Sequence, residues 1–311
     1  MEGNSILSML DIIVVNYNST DYLVKSVHAI YWALQGLEAR IFIEDNASDG
    51  DVGRVTCLFP DVHLSRNRRN LGFAGAVNRA IGRGEAPYIV LVNPDCLLGV
   101  EFFPRTLVHM AAHPEVGILG PKIVNPDGSL QGSARAFPNL LTGLFGRTSL
   151  LTRWFPHNPV TRRNLLSEGR DGGGSRGVDW VSGACMVVRR KAVEEVGPLD
   201  ERFFLYWEDA DWCRRMWQAG WKVVYFPQAS VVHHVGGSSR TVPVRSLVEF
   251  HRSAYRLFAK YAKGSQRLLK PLVLWVLALR LLVLLSWQGL QAVIATRQSR
   301  YPLGPASYPK R

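Results

Sequence analysis

Cysteine is scarce and scattered: Cys57, Cys96, Cys185 and Cys213 are the whole set in 311 residues. No two of them stand in CxxC spacing, which excludes a zinc-ribbon site and a disulfide framework and fits the reduced thiols of a cytoplasmic protein. No GxGxxG follows an apolar run, so a dinucleotide-binding unit is not supported, and the glycines at 172–174 lie in a polar stretch that does not supply one. No secretory signal is expected, because polar Glu2-Gly3-Asn4 precedes an apolar run that Asp11 breaks. Acids are in deficit, with 25 Asp and Glu against 37 Lys and Arg and a formal charge of +12. The cations are nevertheless dispersed, at Arg66, Arg68 and Arg69, between Arg147 and Arg176, and toward Lys270 and Arg280. No recognition helix, zinc-finger spacing or aromatic RNA-binding signature accompanies them, so nucleic acid is not an expected partner. Attraction to anionic lipid and to a pyrophosphate accounts for the same charge.

What is present is an alternation of short apolar runs and helical stretches. At 47% hydrophobic residues the chain can bury a real core. Tyr88-Ile-Val-Leu-Val92 reads as a strand buried on both faces, the pattern of a parallel sheet. It ends in Asn93-Pro94-Asp95, and ligands of open α/β sheets bind outside the carboxyl ends of strands. Asp95 there suits a hard divalent cation carrying a phosphorylated substrate; the plain alternative is a turn-former capping a helix near Glu101. Asp11–Val15 and Arg40–Glu44 are two further strands, the first leading through Asn16-Tyr17-Asn18 into a helix that reaches about Leu34. The second ends in Asp45-Asn46-Ala47-Ser48-Asp49-Gly50, a loop dense in acceptors that reads equally as an ordinary turn. Asn70-Leu71-Gly72-Phe73-Ala74-Gly75 opens a helix with small residues, leaving backbone N–H groups for an anion. Strand, helix, strand, helix, strand, with acids at two successive strand ends, is an α/β nucleotide-binding half.

Beyond it, a helix is expected around Phe102–Ala112, a strand around Gly117–Gly120 and a hairpin turn at Asn125-Pro126-Asp127-Gly128. Residues 143–177 lack periodicity and read as a mobile loop: a lid, a contact for membrane or acceptor, or an insertion. Val178–Val188 reads as one apolar strand, Trp221–Phe226 as another, and Val231-Val232-His233-His234 leads to a Gly/Ser loop. Glu208, Asp209 and Asp211 open a helix after the aromatic run Phe203–Trp207. Acids in a first turn ordinarily complement the helix dipole. Tyr206 and Trp207 beside them form an apolar wall able to raise a carboxylate's pKa toward general-base work.

Taken together, Val-Val-Asn-Tyr-Asn (14–18), Asp-Asn-Ala-Ser-Asp (45–49), Asn-Leu-Gly-Phe-Ala (70–74), Asn-Pro-Asp (93–95), Asn-Pro-Asp-Gly (125–128), Ser-Gly-Ala-Cys (182–185), Glu-Asp-Ala-Asp (208–211) and His-His (233–234) resemble the family 2 glycosyltransferases, inverting enzymes of the GT-A fold, and within them the bacterial rhamnosyltransferase-like branch. The resemblance covers about residues 11–240. It implies a Rossmann-like mixed sheet flanked by helices, and a catalytic domain over 1–242. It implies that Asp45 receives hydrogen bonds from a nucleotide base while Asn16, Tyr17, Asn70, Gly72 and Gly75 line the donor pocket. Asp95 corresponds to the last acid of the family's DxD, with Asn93 in place of the first, so one negative charge is missing from the cation site. His233 completes the Mg²⁺ or Mn²⁺ shell, with His234 competing because the pair leaves the register open. Asp209 is the implied base and Glu208 its neighbour in positioning the acceptor; Trp207, Gly183 and Ala184 are assigned to the acceptor side. The implied partners are a dTDP- or UDP-sugar donor and a lipid-linked glycan acceptor of cell-envelope synthesis.

From 243 to 311 the chain reads as helical and basic. Leu268–Trp287 is its most apolar part, interrupted by Arg280 near the middle, with Trp275 and Trp287 and cations at both ends. The expectation is a helix lying in, or shallowly inserted into, the cytoplasmic face of the plasma membrane. The alternative is a helix packed on the catalytic domain or in a homo-oligomer interface.

Overall fold

The computed structural model describes residues 10–138, 174–234 and 243–300. The chain divides into two compact units, Met1–Val242 and Pro243–Arg311. In chain order the first contains β1 (Leu10–Asn16), α1 (Thr20–Leu34), β2 (Ala39–Asp45), α2 (Arg54–Leu58), β3 (His63–Arg66), α3 (Gly72–Ile81), β4 (Tyr88–Val92), β5 (Cys96–Leu98), α4 (Phe102–Ala112) and β6 (Val116–Val124). Then follow β7 (Ala134–Arg135), β8 (Arg176–Gly177), β9 (Trp180–Val181), β10 (Cys185–Arg189), α5 (Arg190–Val196), α6 (Glu208–Gln218) and β11 (Lys222–His233).

Nine of these strands make one mixed sheet in the order β3-β2-β1-β4-β10-β6-β11-β5, with β8 added to β11; β7 and β9 pair separately. The parallel half follows from continuous burial: every residue of β1 and β4 is buried, and β1 lies parallel to both β2 and β4. Leu10, Ile12 and Val14 share a core cluster with Leu23, Val27 and Ile30, the i, i+4, i+7 stripe of α1. Each such buried side chain contributes about 1.5–3 kcal/mol. At the amino end of β1, Asp11 is fully buried. It accepts hydrogen bonds from Arg40 (2.9 Å), Arg190 (2.7 Å) and the Ala86 N–H (2.8 Å), so this acid is a structural brace far from the strands' carboxyl ends.

Three expectations change. Val178–Val188 is not one strand: it breaks at Ser182-Gly183-Ala184 between β9 and β10, because β9 pairs with β7 in the small sheet and β10 with β4 in the large one. The strand expected at Trp221–Phe226 runs on to His233 as one strand, β11, taking in the stretch read as leading to the Gly/Ser loop, with a register shift between Phe226 and Ser230 where Pro227 has no N–H to give the ladder. The tail of the expected 143–177 loop is ordered as β8; the rest of that segment, residues 143–173, and the Gly/Ser loop at 236–239 lie outside the described residues.

The second unit comprises α7 (Pro243–Tyr261), a 3₁₀ turn (Gly264–Leu269) and α8 (Lys270–Arg300). Over Gly264–Gln291 it is long and apolar enough to cross a membrane by length and composition. Arg280 does not interrupt its outer surface. Its guanidinium donates to His251 Nε2 of α7 at 2.6 Å and lies over the Phe250 ring, while Trp275 (63%), Leu282 (61%) and Trp287 (58%) are exposed.

Candidate active site

The carboxyl ends of β1 and β2 are tied together by polar side chains. Asn16 Nδ2 donates to Asp45 Oδ1 (2.9 Å) and Ser48 Oγ (3.2 Å), and Ser48 gives its hydroxyl (2.6 Å) and N–H (3.2 Å) to the same carboxylate. Asp45 is fully covered, with Arg66 Nε 3.8 Å from Oδ2, so in this conformation it organises the loop and is not open to a nucleotide base. Asn16 Oδ1 is buried with no hydrogen-bond partner among the described residues, leaving an acceptor for a ligand's hydroxyl or N–H. Tyr17 is partly exposed in the turn that follows.

Asn46 carries the connection onward. Its Nδ2 donates to the Gly72 carbonyl (3.0 Å) and its Oδ1 accepts from Asn67 (3.0 Å), fixing the chain that opens α3; Asn70 Oδ1 accepts the Gly72 N–H (2.9 Å). Gly72 is required twice over. Its φ is +79°, and a Cβ there would stand 2.4 Å from the Phe204 carbonyl oxygen. That carbonyl accepts the Phe73 N–H (2.8 Å), and Asn78, two turns along α3, exchanges two hydrogen bonds with the Leu199 backbone (2.8 and 3.0 Å). The helix α3 thus seats the segment leading to the acids.

That segment reverses sharply. Tyr206 (φ +67°) and Trp207 (φ +69°) are consecutive left-handed residues, each costing about 1–2 kcal/mol relative to a right-handed conformation. The Phe204 anchor and the contact of Trp207 with Trp180 (6.0 Å between centroids) hold them there. Of the three acids that open α6, Asp211 is structural: Arg215 pairs with it (2.9 Å) and donates to the carbonyls of Val196, Gly197 and Pro198. Glu208 and Asp209 differ in environment. Burial, then the neighbouring Asp209 charge, pushes Glu208 well above the usual carboxylate range, and its Oε2 has no partner among the described residues. Asp209 is also raised by desolvation, but the Gly183 (2.9 Å) and Ala210 (2.8 Å) N–H groups and the Arg135 charge favour its ionised form. Burial thus raises both carboxyls, Glu208 further through its neighbour's charge, while its hydrogen bonds leave Asp209 the readier of the two to ionise and more basic than an exposed carboxylate.

Gly183 is where the broken strand matters. The turn that gives its N–H to Asp209 also presents the Ala184 carbonyl to the Asn93 N–H (2.8 Å) and the Cys96 thiol (3.3 Å), joining α6 to the end of β4. Two residues past Asn93, Asp95 Oδ1 lies 3.2 Å from His233 Nε2. Asp95, Cys96 and His233 bring their donor atoms within 4.8 Å of one another. Cys96 is fully buried and gives its thiol hydrogen to the Ala184 carbonyl, so the hard donors of the group are one carboxylate and one imidazole. With phosphate oxygens added, such a set fits Mg²⁺ or Mn²⁺ and lacks the thiolates of a zinc site. Of the His pair it is the His233 ring that meets Asp95, while His234 turns its ring to Tyr22 (5.9 Å).

The expected residues thus lie along one line of contacts, from Asn16 and Asp45 through Asn46, Gly72 and Phe204 to Glu208–Asp209, and on through Gly183 and Ala184 to Asn93, Asp95 and His233. Gly75 is buried within α3 and Asn70 flanks a cleft of about 580 Å³ shared with Arg69 and Arg79, which does not reach Asp95 or Asp209. Sequence reasoning gave no role to Asn46, Asn78 or Gln131. Asn46 sits in the Asp45–Asp49 motif already singled out, Asn78 follows the Asn70–Ala74 motif by four residues, and Gln131 follows the Asn125–Gly128 turn by three.

Residues 9–249 match the family described as "Glycosyltransferase like family 2". The chain is 33% identical over 270 residues to the N-acetylglucosaminyl-diphospho-decaprenol L-rhamnosyltransferase of Mycobacterium tuberculosis, covering 83% of this chain and 87% of that one. It is 24% identical to the dTDP-rhamnosyl transferase RfbF of Shigella flexneri, covering 80% and 79%. Among solved structures, it resembles the mannosyltransferase PcManGT of Pyrobaculum calidifontis, in complex with GDP-Man and Mn²⁺. There the TM-score is 0.54 at 16% identity, over 96% of this chain and 82% of that one. GalNAc-T7 with UDP, GalNAc and Mn²⁺ gives 0.54 at 15% identity, over 81% and 48%. These likenesses bear out the GT-A fold.

Proposed function

Since the chain belongs to the glycosyltransferase-like family 2 and is a glycosyltransferase, we propose that it transfers rhamnose, with inversion, from dTDP-rhamnose to a lipid-linked diphospho-sugar acceptor in cell-envelope glycan synthesis. The observation that carries the mechanism is the Gly183–Ala184 turn, which binds Asp209 on one side and the Asn93–Asp95 segment on the other. A base and a cation site are thereby held in fixed relation. The donor and acceptor classes are supported by the two rhamnosyltransferase relatives.

In this mechanism the acceptor hydroxyl attacks the sugar's anomeric carbon from the face opposite the nucleotide. The bond from that carbon to the diphosphate oxygen breaks, and the hydroxyl proton passes to Asp209. Desolvation makes Asp209 a stronger base than an exposed carboxylate, and the two N–H groups aim it. Glu208, which burial biases toward its protonated form, offers the acceptor a hydrogen-bond donor beside the base. Trp207 walls the acceptor side. Asp95 and His233 would hold a divalent cation, which supplies charge neutralisation of the leaving diphosphate. Asn16, Tyr17 and the Asn70–Gly75 segment face the nucleotide. No covalent nucleophile is needed, and a single displacement inverts the centre.

α8 presents an apolar outer surface, and cations cluster at the turn before it, at Lys260, Lys263, Arg267 and Lys270. That combination supports residence at an anionic cytoplasmic membrane surface, where a polyprenyl-linked acceptor would lie. The test is turnover by full-length protein in detergent with a panel of UDP-, GDP- and dTDP-sugars, a short polyprenyl-diphospho-N-acetylglucosamine acceptor and Mg²⁺ or Mn²⁺. Metal-dependent product from dTDP-rhamnose alone is expected. Product from a UDP-sugar would retire the rhamnosyl reading, and absence of both product and donor binding would leave a scaffold within a glycan-assembly complex.

A further inference from the structure

The Asn125–Gly128 turn takes no part in the mechanism above, yet its side chains lead to the cation site. Gly128, at φ +81°, lets the chain double back so that Gln131 N–H reaches the Ile123 carbonyl (2.9 Å). Gln131 Nε2 then donates to Asn125 Oδ1 (2.7 Å) and to the backbone carbonyl of His233 (2.8 Å). A backbone carbonyl only accepts, so the Gln131 amide has one orientation, and its Oε1 is the atom that meets His233 Nδ1 at 2.9 Å. Because Oε1 carries no hydrogen, the ring proton belongs on Nδ1. In the neutral imidazole that leaves Nε2 bare, its lone pair turned toward Asp95 Oδ1 at 3.2 Å. Two acceptors at that separation repel each other unless a positive charge lies between them, either a metal ion or the second proton of an imidazolium.

We propose that Gln131 is a positioning residue of the cation site: it fixes His233 in the Nδ1-protonated tautomer, so that Nε2 and Asp95 face a divalent ion together, with Asn125 as its outer support. This rests on the metal reading of Asp95 and His233 given above. Groups that orient a ligating imidazole in this way change metal affinity roughly 10–100-fold when removed.

The experiment uses full-length protein in detergent, labelled with ¹⁵N-histidine and free of metal. Long-range ¹H–¹⁵N spectra report the His233 tautomer, assigned by the signal lost in His233→Asn. Mn²⁺ affinity is read by electron paramagnetic resonance with dTDP present. Wild type is expected to show the Nδ1–H form. Gln131→Met should shift His233 toward the Nε2–H form, now donating to Asp95, and weaken Mn²⁺ roughly 10–100-fold, with dTDP affinity in the absence of metal unchanged. Asn125→Ala, which removes one of the two anchors on Nε2 and no core atom, should move both readouts the same way by less; it decides the matter if Gln131→Met does not fold. A wild-type tautomer and wild-type Mn²⁺ affinity in the folded variant would overturn the role of Gln131. Wild-type protein that binds dTDP equally with and without Mn²⁺ would instead overturn the metal reading, while the tautomer spectra would still judge Gln131 separately.

Discussion

Gly72→Ala probes the joint between α3 and the segment carrying the acids. Two penalties apply. The first is conformational: at φ +79° an alanine costs about 1–2 kcal/mol. The second is steric. The new Cβ would stand 2.4 Å from the Phe204 carbonyl oxygen and 2.8 Å from its ring, where contacts beyond about 3.4 Å are ordinary, so Phe204 must retreat by close to 1 Å. Overpacking of this kind costs about 1–3 kcal/mol, and the Phe73 N–H to Phe204 hydrogen bond is weakened with it. Gly36→Ala separates the terms, since Gly36 has φ +86° and nothing within 4 Å of an added Cβ. Urea unfolding followed by tryptophan fluorescence should show a loss of about 1–2 kcal/mol for Gly36→Ala and about 2–5 kcal/mol for Gly72→Ala. Turnover should fall roughly 100-fold in Gly72→Ala alone, because a shift of 1 Å in Phe204 is passed through Tyr206 and Trp207 to Asp209. Equal destabilisation by the two substitutions, with turnover unchanged, would refute the claim that the helix seats the acids.

Asp209→Asn should lower turnover roughly 10²–10⁴-fold while donor affinity, measured by calorimetry, stays at the wild-type value. The acid limb of the pH–rate profile should lie above the ordinary carboxylate range, activity rising as pH passes upward through the raised Asp209 pKa. Arg135→Gln removes a charge that holds that pKa down, so the limb should move to higher pH; a shift to lower pH would contradict the assignment. Leu282→Arg, on the exposed face of α8, should release the protein from anionic vesicles in a flotation assay. Arg280→Leu, on the packed face, should leave it bound.

The sequence displayed the sheet's interior better than its margins. β1 and β4 are runs of apolar residues with no other physical reading, and α1 and α4 carry clear helical stripes. β3 and β5 were missed for opposite reasons: His63-Leu-Ser-Arg66 has no apolar pattern because it is an exposed edge, and Cys96–Leu98 is three residues long. The break at Ser182–Ala184 was hidden because a strand that changes sheets keeps its apolar character on both sides of the change. Site residues were legible where a motif carried them, and their partners were not. Which histidine meets Asp95 depends on the pleat of β11 at its last residue. Gln131 matters for a carbonyl it meets 102 residues away, a relation no local pattern encodes.

Arg280 has a consequence beyond the membrane question. A helix apolar on nearly every side has no preferred azimuth: turned about its axis, α8 would lay a similar row of leucines against α7. A single guanidinium that must find His251 removes that degeneracy, since any other rotation places an unpaired charge among hydrocarbon. The arginine thus serves as a rotational index, deciding which leucines and tryptophans the hairpin shows to its surroundings, much as one polar residue sets the register of an otherwise featureless coiled coil.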